Sequence, residues 1–519
     1  MTPGRTGAGG PRRAGPRPGA RRAAAAPGVA VRALALEALG RVDSGGYSNL
    51  VLPALLRDSG LDGRDRALAT DLVYGTLRRQ GQADFLLERV SHRALPELDP
   101  PVRTALRLGA YQLLAGVAAH AAVGATVGAL GAPPSPPTAR RAAPFVNAVL
   151  RRVADLGPDW PWPAGDAADA VAVRTSHPRW IVELLRRDLG ADAEAVLAAA
   201  NEPPAVTLRP NPLRTTVEDL AAELAAGGVD VEPGRLVPTA LLVRGAGDLA
   251  RLPAVGDGRA TPQDQASQAV AAALGARPGE RILDLAAAPG GKATALAEIM
   301  GDDGLVVAAD FRPGRVARVR DAAVRLGLRS VQVLSADGRR LPLRPPPDAE
   351  GRRLPLRPPP DAEADSSPGA RSAGPPSADR PAAGDLGRFD RVLLDAPCSG
   401  LGVLRRRPEA RWRLQPEAID RAAGLQRELL TAAVARVRPG GLVAYSVCTL
   451  TREETLDIDA WAGATFPGLA AVDGPGPPWR PHGRGALLLP TAAGTDGMFL
   501  LLLRAPPGAR ELSRASPSG

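Results

Sequence analysis

Three hydrophobic rhythms follow one another along the chain. From Gly28 to about Val153 apolar residues recur at three- and four-residue spacing. Val31, Leu34, Ala35, Ala38 and Val42 share one face before Asp43-Ser-Gly-Gly46 interrupts it; Leu106, Ala110, Leu113 and Leu114 repeat the pattern, as do Phe145, Val149, Leu150 and Val153. That spacing predicts amphipathic helices and no strands. From about Gly157 to Gly275 the rhythm changes. Trp160-Pro-Trp-Pro163 reads as a linker, Ile181–Leu189 and Val217–Ala226 as helices, and Ala205–Arg209 and Ala240–Arg244 as strands, which makes a small α+β unit. Thr261–Gln268 is the polar start of a helix running into Leu274. From Gly279 onward short apolar runs alternate with helical stretches. Strands are expected at Ile282–Leu285, Leu305–Ala309, Val331–Leu334, Arg391–Leu394, Leu442–Tyr445 and Met498–Leu503, and helices at Ala293–Met300, Pro313–Leu326, Pro416–Val437 and Glu454–Ala462. This alternation predicts a doubly wound α/β sheet, with Ala486–Leu489 and Met498–Leu503 as an antiparallel edge pair.

Two stretches have no such rhythm. Residues 1–27 carry Arg5, Arg12, Arg13, Arg17, Arg21 and Arg22 without an acid, and read as a disordered basic arm that would touch RNA or simply be solvated. Gly338–Glu350 recurs unchanged as Gly351–Glu363, and residues 364–386 continue in small and polar types. Two proline-rich copies bury nothing, so residues 344–387 read as a disordered surface insertion and not as a solenoid. The expected organisation is an arm (1–27), a helical domain (28–156), a small α+β connecting domain (157–275), an α/β domain (276–505) interrupted by 344–387, and a tail (506–519).

Composition sharpens this picture in three places. Aromatics make up only 3% of a chain that is 45% hydrophobic, so the cores must be aliphatic. A formal charge of +10 favours an acidic partner such as nucleic acid, although an arginine-rich composition alone would produce it. Two cysteines, Cys398 and Cys448, are too few for a disulfide framework and fit a reducing cytosol. No apolar run reaches the ~18 residues a membrane span needs. His92 and His120 are isolated, and no metal-ligand spacing occurs. The helical domain also holds paired arginines at Arg78-Arg79 and Arg151-Arg152, suited to phosphate contact, but on periodicity they read as solvated helix ends.

The candidate chemistry lies in the α/β domain, where each parallel strand ends in something polar. The first runs into Ala286-Ala-Ala-Pro-Gly-Gly-Lys292, the second ends in Asp310, the third in Asp337, the fourth in Asp395-Ala-Pro-Cys-Ser-Gly400 and the fifth in Ser446-Val-Cys-Thr449. Such strand ends are where an open α/β sheet binds its ligand. Lys292 is the only lysine among 65 basic residues, and lysine is a compact point charge where arginine is a wide fork. A Walker loop would need glycine at Ala286 and a hydroxyl at Ala293, and a dinucleotide loop needs a third glycine; both fail. Asp310 stands ~20 residues beyond the glycine loop, where a carboxylate grips a ribose, and without a phosphate loop S-adenosylmethionine fits best. Two cysteines at one ligand edge reverse the usual reading of a cysteine as a small buried hydrophobe.

Asp284-Leu-Ala-Ala-Ala-Pro-Gly-Gly-Lys292, Asp395-Ala-Pro-Cys-Ser-Gly400 and Tyr445-Ser-Val-Cys-Thr449 together resemble the Sun/NOL1/NOP2 family of RNA cytosine-C5 methyltransferases. Leu72-Val-Tyr-Gly-Thr76 and Phe145–Arg152 resemble the NusB-type domain of its ribosomal small subunit methyltransferase B branch. The resemblance implies a Rossmann-like S-adenosylmethionine methyltransferase domain, preceded by an all-α NusB-like domain and a small α+β linker domain. It implies Cys448 as the nucleophile toward cytosine carbon 6, Cys398 as the residue assisting product release, Asp395 on the base's amidine edge, and Lys292 near the reacting end of the cofactor. Ala286, Ala287, Ala288, Pro289, Gly290, Gly291 and Lys292 would line the methionine part, with Asp310 on the ribose and Asp337 on the adenine; Asp395 borders the same site. Arg405, Arg406, Arg407, Arg411 and Trp412 match a basic segment that would contact RNA backbone and stack a base. The sequence departs from the family at Ala286, where cysteine is frequent, at Val447, where threonine is usual, and at Thr455, where asparagine is common. The implied activity is cytosine-C5 methylation of 16S rRNA, with another RNA such as tRNA, or a non-catalytic RNA-binding assembly factor, as alternatives.

Overall fold

The computed structural model describes residues 28–133, 135–342 and 387–507. The basic arm, nearly all of the expected insertion with its Gly351–Glu363 repeat, and residues 508–519 of the tail lie outside the described residues. The described residues form two compact units: those of 28–46, Leu50–Thr76 and Leu86–Asp159 make one, and those of Tyr47–Asn49, Leu77–Phe85 and Trp160 onward make the other.

The first unit is helical, as the 3.6-residue periodicity predicts. Helices Val29–Asp43, Pro100–Leu114, Ala119–Gly131 and Ala143–Ala154 pack on one another through Val31, Ala35, Leu106, Ala110, Val149 and Leu150. Gly109 permits one of these approaches, since a Cβ there would lie 2.3 Å from Leu150. A buried polar node is satisfied within the core: Arg32 Nε donates to Gln112 Oε1 at 2.6 Å, and Gln112 Nε2 donates to Thr126 Oγ1 at 2.8 Å.

In the second unit, β1 (Val206–Pro210), β2 (Asp230–Pro233), β3 (Leu241–Arg244) and β4 (Ala260–Pro262) form an antiparallel sheet in the order β2-β3-β1-β4. Helix Val217–Ala226 packs against it through Leu220 and Leu224. β2 and β4 were not expected from the pattern; both are too short to show alternation.

The larger sheet contains β5 (Arg281–Asp284), β6 (Leu305–Asp310), β7 (Val331–Ser335), β8 (Phe389–Asp395), β9 (Val437–Val447), β10 (Ala470–Val472), β11 (Arg480–His482), β12 (Gly485–Leu488) and β13 (Met498–Arg504), in the order β11-β12-β13-β9-β8-β5-β6-β7, with β10 also on β13. β5 to β9 are parallel. Successive residues along them enter opposite cores. Leu283, Val307, Val392 and Tyr445 meet helices Arg179–Leu189, Ala193–Ala199 and Glu417–Arg436 on one face, while Ile282, Val306, Leu393 and Ala444 meet Gln265–Ala273, Gly291–Ile299 and Pro313–Leu326 on the other. Burial on both faces explains why these strands read as continuous apolar runs.

Two expectations are corrected. Met498–Arg504 pairs with β12 as expected, but it also lies antiparallel to β9 (Phe499 opposite Val447), so it is an interior strand. The helix expected from Glu454 begins at Leu456, which leaves Glu454 in a turn.

Candidate active site

Parallel register brings the strand ends to one edge. Asp395 pairs directly with Ser446, and Asp310 with Ser335. The chain leaves β5 through Ala286–Pro289 and enters a helix at Gly291, with Gly290 as its N-cap at φ +106°. A side chain at Gly290 would be strained and would place Cβ 3.1 Å from the backbone of Val319, so the loop lies against helix Pro313–Leu326 only because the residue is glycine.

Lys292 sits in the first turn of that helix and points along the edge. Its Nζ donates to Asp395 Oδ2 at 2.7 Å and to Ser267 Oγ at 3.4 Å. Burial disfavours the ammonium, but the Asp395 carboxylate outweighs it, and the pKa lies above the ordinary lysine value, with Cys448 and Asp284 contributing in the same direction. The other Asp395 oxygen accepts from Ser446 Oγ at 2.8 Å. Cys398 and Cys448 are half-buried, and their sulfurs are 3.3 Å apart. The bond to Cys448, then burial, then the charges around it raise the Cys398 thiol well above its ordinary value. Cys448 lies within electrostatic reach of Lys292, and Cys398 within reach of Glu454 and Asp395.

The cofactor-edge carboxylates are held in different ways. Asp310 is buried; it accepts from Ala288 N at 3.3 Å and Arg312 N at 3.2 Å, and lone pairs remain for a ribose hydroxyl. Asp337 accepts from Arg339 through both oxygens, and this pairing holds its carboxyl below the usual range. Asp284, at the end of β5, was quoted in the sequence motif without a role. It is 1% exposed, and neither oxygen has a hydrogen bond of ordinary geometry, only the nearby backbone of Ala286. Burial first, and then the Asp395 charge, push its carboxyl up to about 8, against the opposing pull of Lys292. An orphaned buried carboxyl, a glycine cradle and a poised Asp310 at one edge fit a polar nucleoside cofactor such as S-adenosylmethionine. Among the described residues no group of three or more His, Cys, Asp or Glu is arranged to hold a metal ion, and no helix is long and apolar enough to cross a membrane.

The basic segment is only partly a surface. Arg411 is fully buried and donates to the carbonyls of Ser176 and Ala200 and to Asn201 Oδ1 at 2.7 Å. Arg406 bridges Asp264 and Asp496, and Arg405 donates to the carbonyls of Thr495 and Pro203. Arg405 and Arg411 are buried and committed to internal acceptors, which corrects their expected role as RNA contacts, whereas Arg406 keeps 34% of its side chain exposed. Arg407 is exposed, and half-buried Trp412 donates to the Leu77 carbonyl at 3.2 Å. Arg78, expected at a solvated helix end, is buried and donates to the Arg405 carbonyl at 3.1 Å. Thr455 replaces the amide common in the family with a hydroxyl that donates to the Thr451 carbonyl at 2.7 Å.

Sequence reasoning missed Glu454. It is fully buried and linked to both thiol loops through Ser399, Thr451 and Gln426. A charged residue between two cysteine motifs and an apolar stretch was the available signal, but it was absorbed into a helix start.

A doubly wound sheet with a glycine loop and strand-end carboxylates at its ligand edge defines a Rossmann-like α/β methyltransferase domain. Family models agree over most of the chain. The model described as 16S rRNA methyltransferase RsmB/F matches residues 271–346 and 377–504, the NusB family model matches 29–155, and the RsmF/B-like ferredoxin-like domain matches 177–250. A Mycobacterium tuberculosis protein named only as a methyltransferase is 39% identical, over 91% of this chain and 96% of its own. Ribosomal RNA small subunit methyltransferase B of Pseudomonas putida is 33% identical, over 90% and 97%. The crystal structure of PH0851 superposes with a TM-score of 0.71 at 25% identity, covering 92% of this chain and 99% of that one. The chain belongs to the RsmB/F family of rRNA methyltransferases.

Proposed function

We propose that this methyltransferase transfers a methyl group from S-adenosylmethionine to carbon 5 of a cytosine in 16S rRNA. The observation that carries the reading is the pair of sulfurs 3.3 Å apart, beside the Lys292–Asp395 ion pair. Carbon 5 of cytosine is a poor nucleophile until a thiolate adds to carbon 6. Cys448 makes that addition, with the Lys292 ammonium as the nearby counter-charge a thiolate needs. Asp395, fixed by Lys292 and Ser446, faces the base's amidine edge and stabilises the polarised ring. When bound, S-adenosylmethionine supplies an electrophilic methyl group, and Ala286–Lys292, Asp310 and Asp337 would hold it. A base takes the adduct's carbon-5 proton, the freed electron pair restores the carbon 5–carbon 6 double bond, and Cys448 leaves as a thiolate, with Cys398, 3.3 Å from it, assisting release. The target base must leave any stack to reach both thiols, and Arg406, Arg407 and Trp412 are the remaining candidates for RNA contact. The relatives named for the ribosomal small subunit support 16S rRNA as substrate, which implies cytoplasmic work. The domain boundaries at 28–156, 157–275 and 276–505 belong to the same proposal.

Bisulfite mapping of RNA from cells with and without the protein tests this reading. A single 5-methylcytosine in 16S rRNA should disappear. Loss of a tRNA methylcytosine would redirect the substrate, and an unchanged pattern would remove the activity.

A further inference from the structure

Around Glu454 is a buried polar cluster that the reaction scheme does not use. Its Oε1 accepts from Ser399 N at 2.9 Å and from Gln426 Nε2 at 2.9 Å; its Oε2 accepts from Thr451 Oγ1 at 2.9 Å and from the Ser399 hydroxyl. Gln426 Nε2 also donates to the Pro397 carbonyl at 2.9 Å, and the Ser399 and Thr449 hydroxyls are 2.7 Å apart. Tyr445 OH donates to the Glu454 carbonyl at 2.8 Å and to Gln426 Oε1 at 2.9 Å. Of the residues flanking the thiols, Ser399 is bonded to Glu454 directly, Pro397 is tied to it through Gln426, and Thr449 through the Ser399 hydroxyl. A buried carboxylate with four donors is costly to disturb, because each abandoned donor loses its partner without gaining water.

We propose that Glu454 is a positioning residue that locks the two thiol loops at one separation and gives the two cysteines their different roles. The inference rests on the cysteine mechanism above and extends it. Cys398 faces Cys448, Glu454 and Asp395, Tyr445 and Arg427 belong to the same cluster, and Lys292 lies toward Cys448. The Glu454 charge opposes a thiolate at Cys398 and leaves Cys448 beside the cation.

The test uses the full chain with three substitutions and two readouts. One readout is the pH profile of iodoacetamide alkylation at each thiol, resolved by peptide mass spectrometry; the other is methyl transfer to RNA with cofactor affinity measured alongside. Glu454→Gln should move Cys398 alkylation to lower pH by about one unit, a tenfold gain in reactivity at fixed pH. Turnover should fall at least about tenfold, with cofactor affinity unchanged. Glu454→Asp restores the charge but not the reach, so the Cys398 profile should return toward the parent while turnover stays low. Ser399→Ala keeps the carboxylate and removes one tether, so it remains informative if Glu454→Gln fails to fold; turnover should fall several-fold. An unchanged Cys398 profile in Glu454→Gln, or full turnover in Ser399→Ala, overturns the proposal. Alkylation needs neither RNA nor methyl donor, so these outcomes are distinct from failure of the cytosine reading, which would appear as retained methyl transfer in Cys448→Ala.

Discussion

The glycine loop at 286–292 and the thiol loops at 395–400 and 446–451 share one sheet edge but are held by different means. The glycine loop is a backbone construction. Its shape follows from Gly290 in a left-handed conformation, the close approach to Val319 and the helix that starts one residue later. The thiol loops are a side-chain construction: Glu454, Gln426, Tyr445, Ser399 and Thr451 bring together sulfurs 50 residues apart in sequence. Backbone shape is set by adjacent residues and is visible in a motif. A side-chain lattice needs partners from three elements and has no local signature.

The difference gives separable failures. Cys448→Ala should abolish methyl transfer by at least roughly a thousandfold while leaving cofactor affinity intact, because no second thiol replaces the nucleophile; radiolabelled methyl incorporation into RNA and calorimetry read the two quantities. Retained incorporation would break the division at its strongest point. Cys398→Ala should stall after the first methyl transfer and accumulate a covalent protein–RNA adduct, seen as a denaturation-resistant gel shift; the same adduct in Cys448→Ala instead would exchange the two roles. On the other side, Gly290→Ala should weaken the cofactor about tenfold through backbone strain, with the alkylation profiles of both thiols unchanged. The smallest effect is expected where the two constructions meet. Asp284 titrates near 8 in the fold against an ordinary 3.8, so the folded chain holds the extra proton between those values. Stability of the cofactor-free protein should therefore decline as pH rises from the ordinary carboxylate range toward about 8, then level off. Asp284→Asn should flatten part of that decline in thermal melts. Part of the slope will persist, because burial and Asp264 push Asp496 up to about 7.

The same contrast governs what was legible beforehand. The parallel strands were readable because burial on both faces makes continuous apolar runs, and their polar ends followed from counting onward to Lys292, Asp310, Asp395 and Cys448. The arginines were not. Arg405, Arg406 and Arg411 have the composition of an RNA-binding stretch, yet their partners are carbonyls and carboxylates from Pro203, Ser176, Asp264 and Asp496, distant in sequence. A guanidinium on a loop and a guanidinium in a core look the same until the acceptors arrive.

What the sequence by itself determined is the set of local constructions: the helical N-terminal unit, the alternation of strand and helix, and the loop that glycine at 290 permits. These depend on spacing and backbone freedom within a few residues. The tertiary structure alone decided that Met498–Arg504 lies inside the sheet, that Arg405 and Arg411 among the five candidate RNA contacts are internal struts, and that Glu454 joins the two thiol loops. Each of those depends on which distant donor meets which acceptor once water is excluded, and no run of neighbouring residues encodes that pairing.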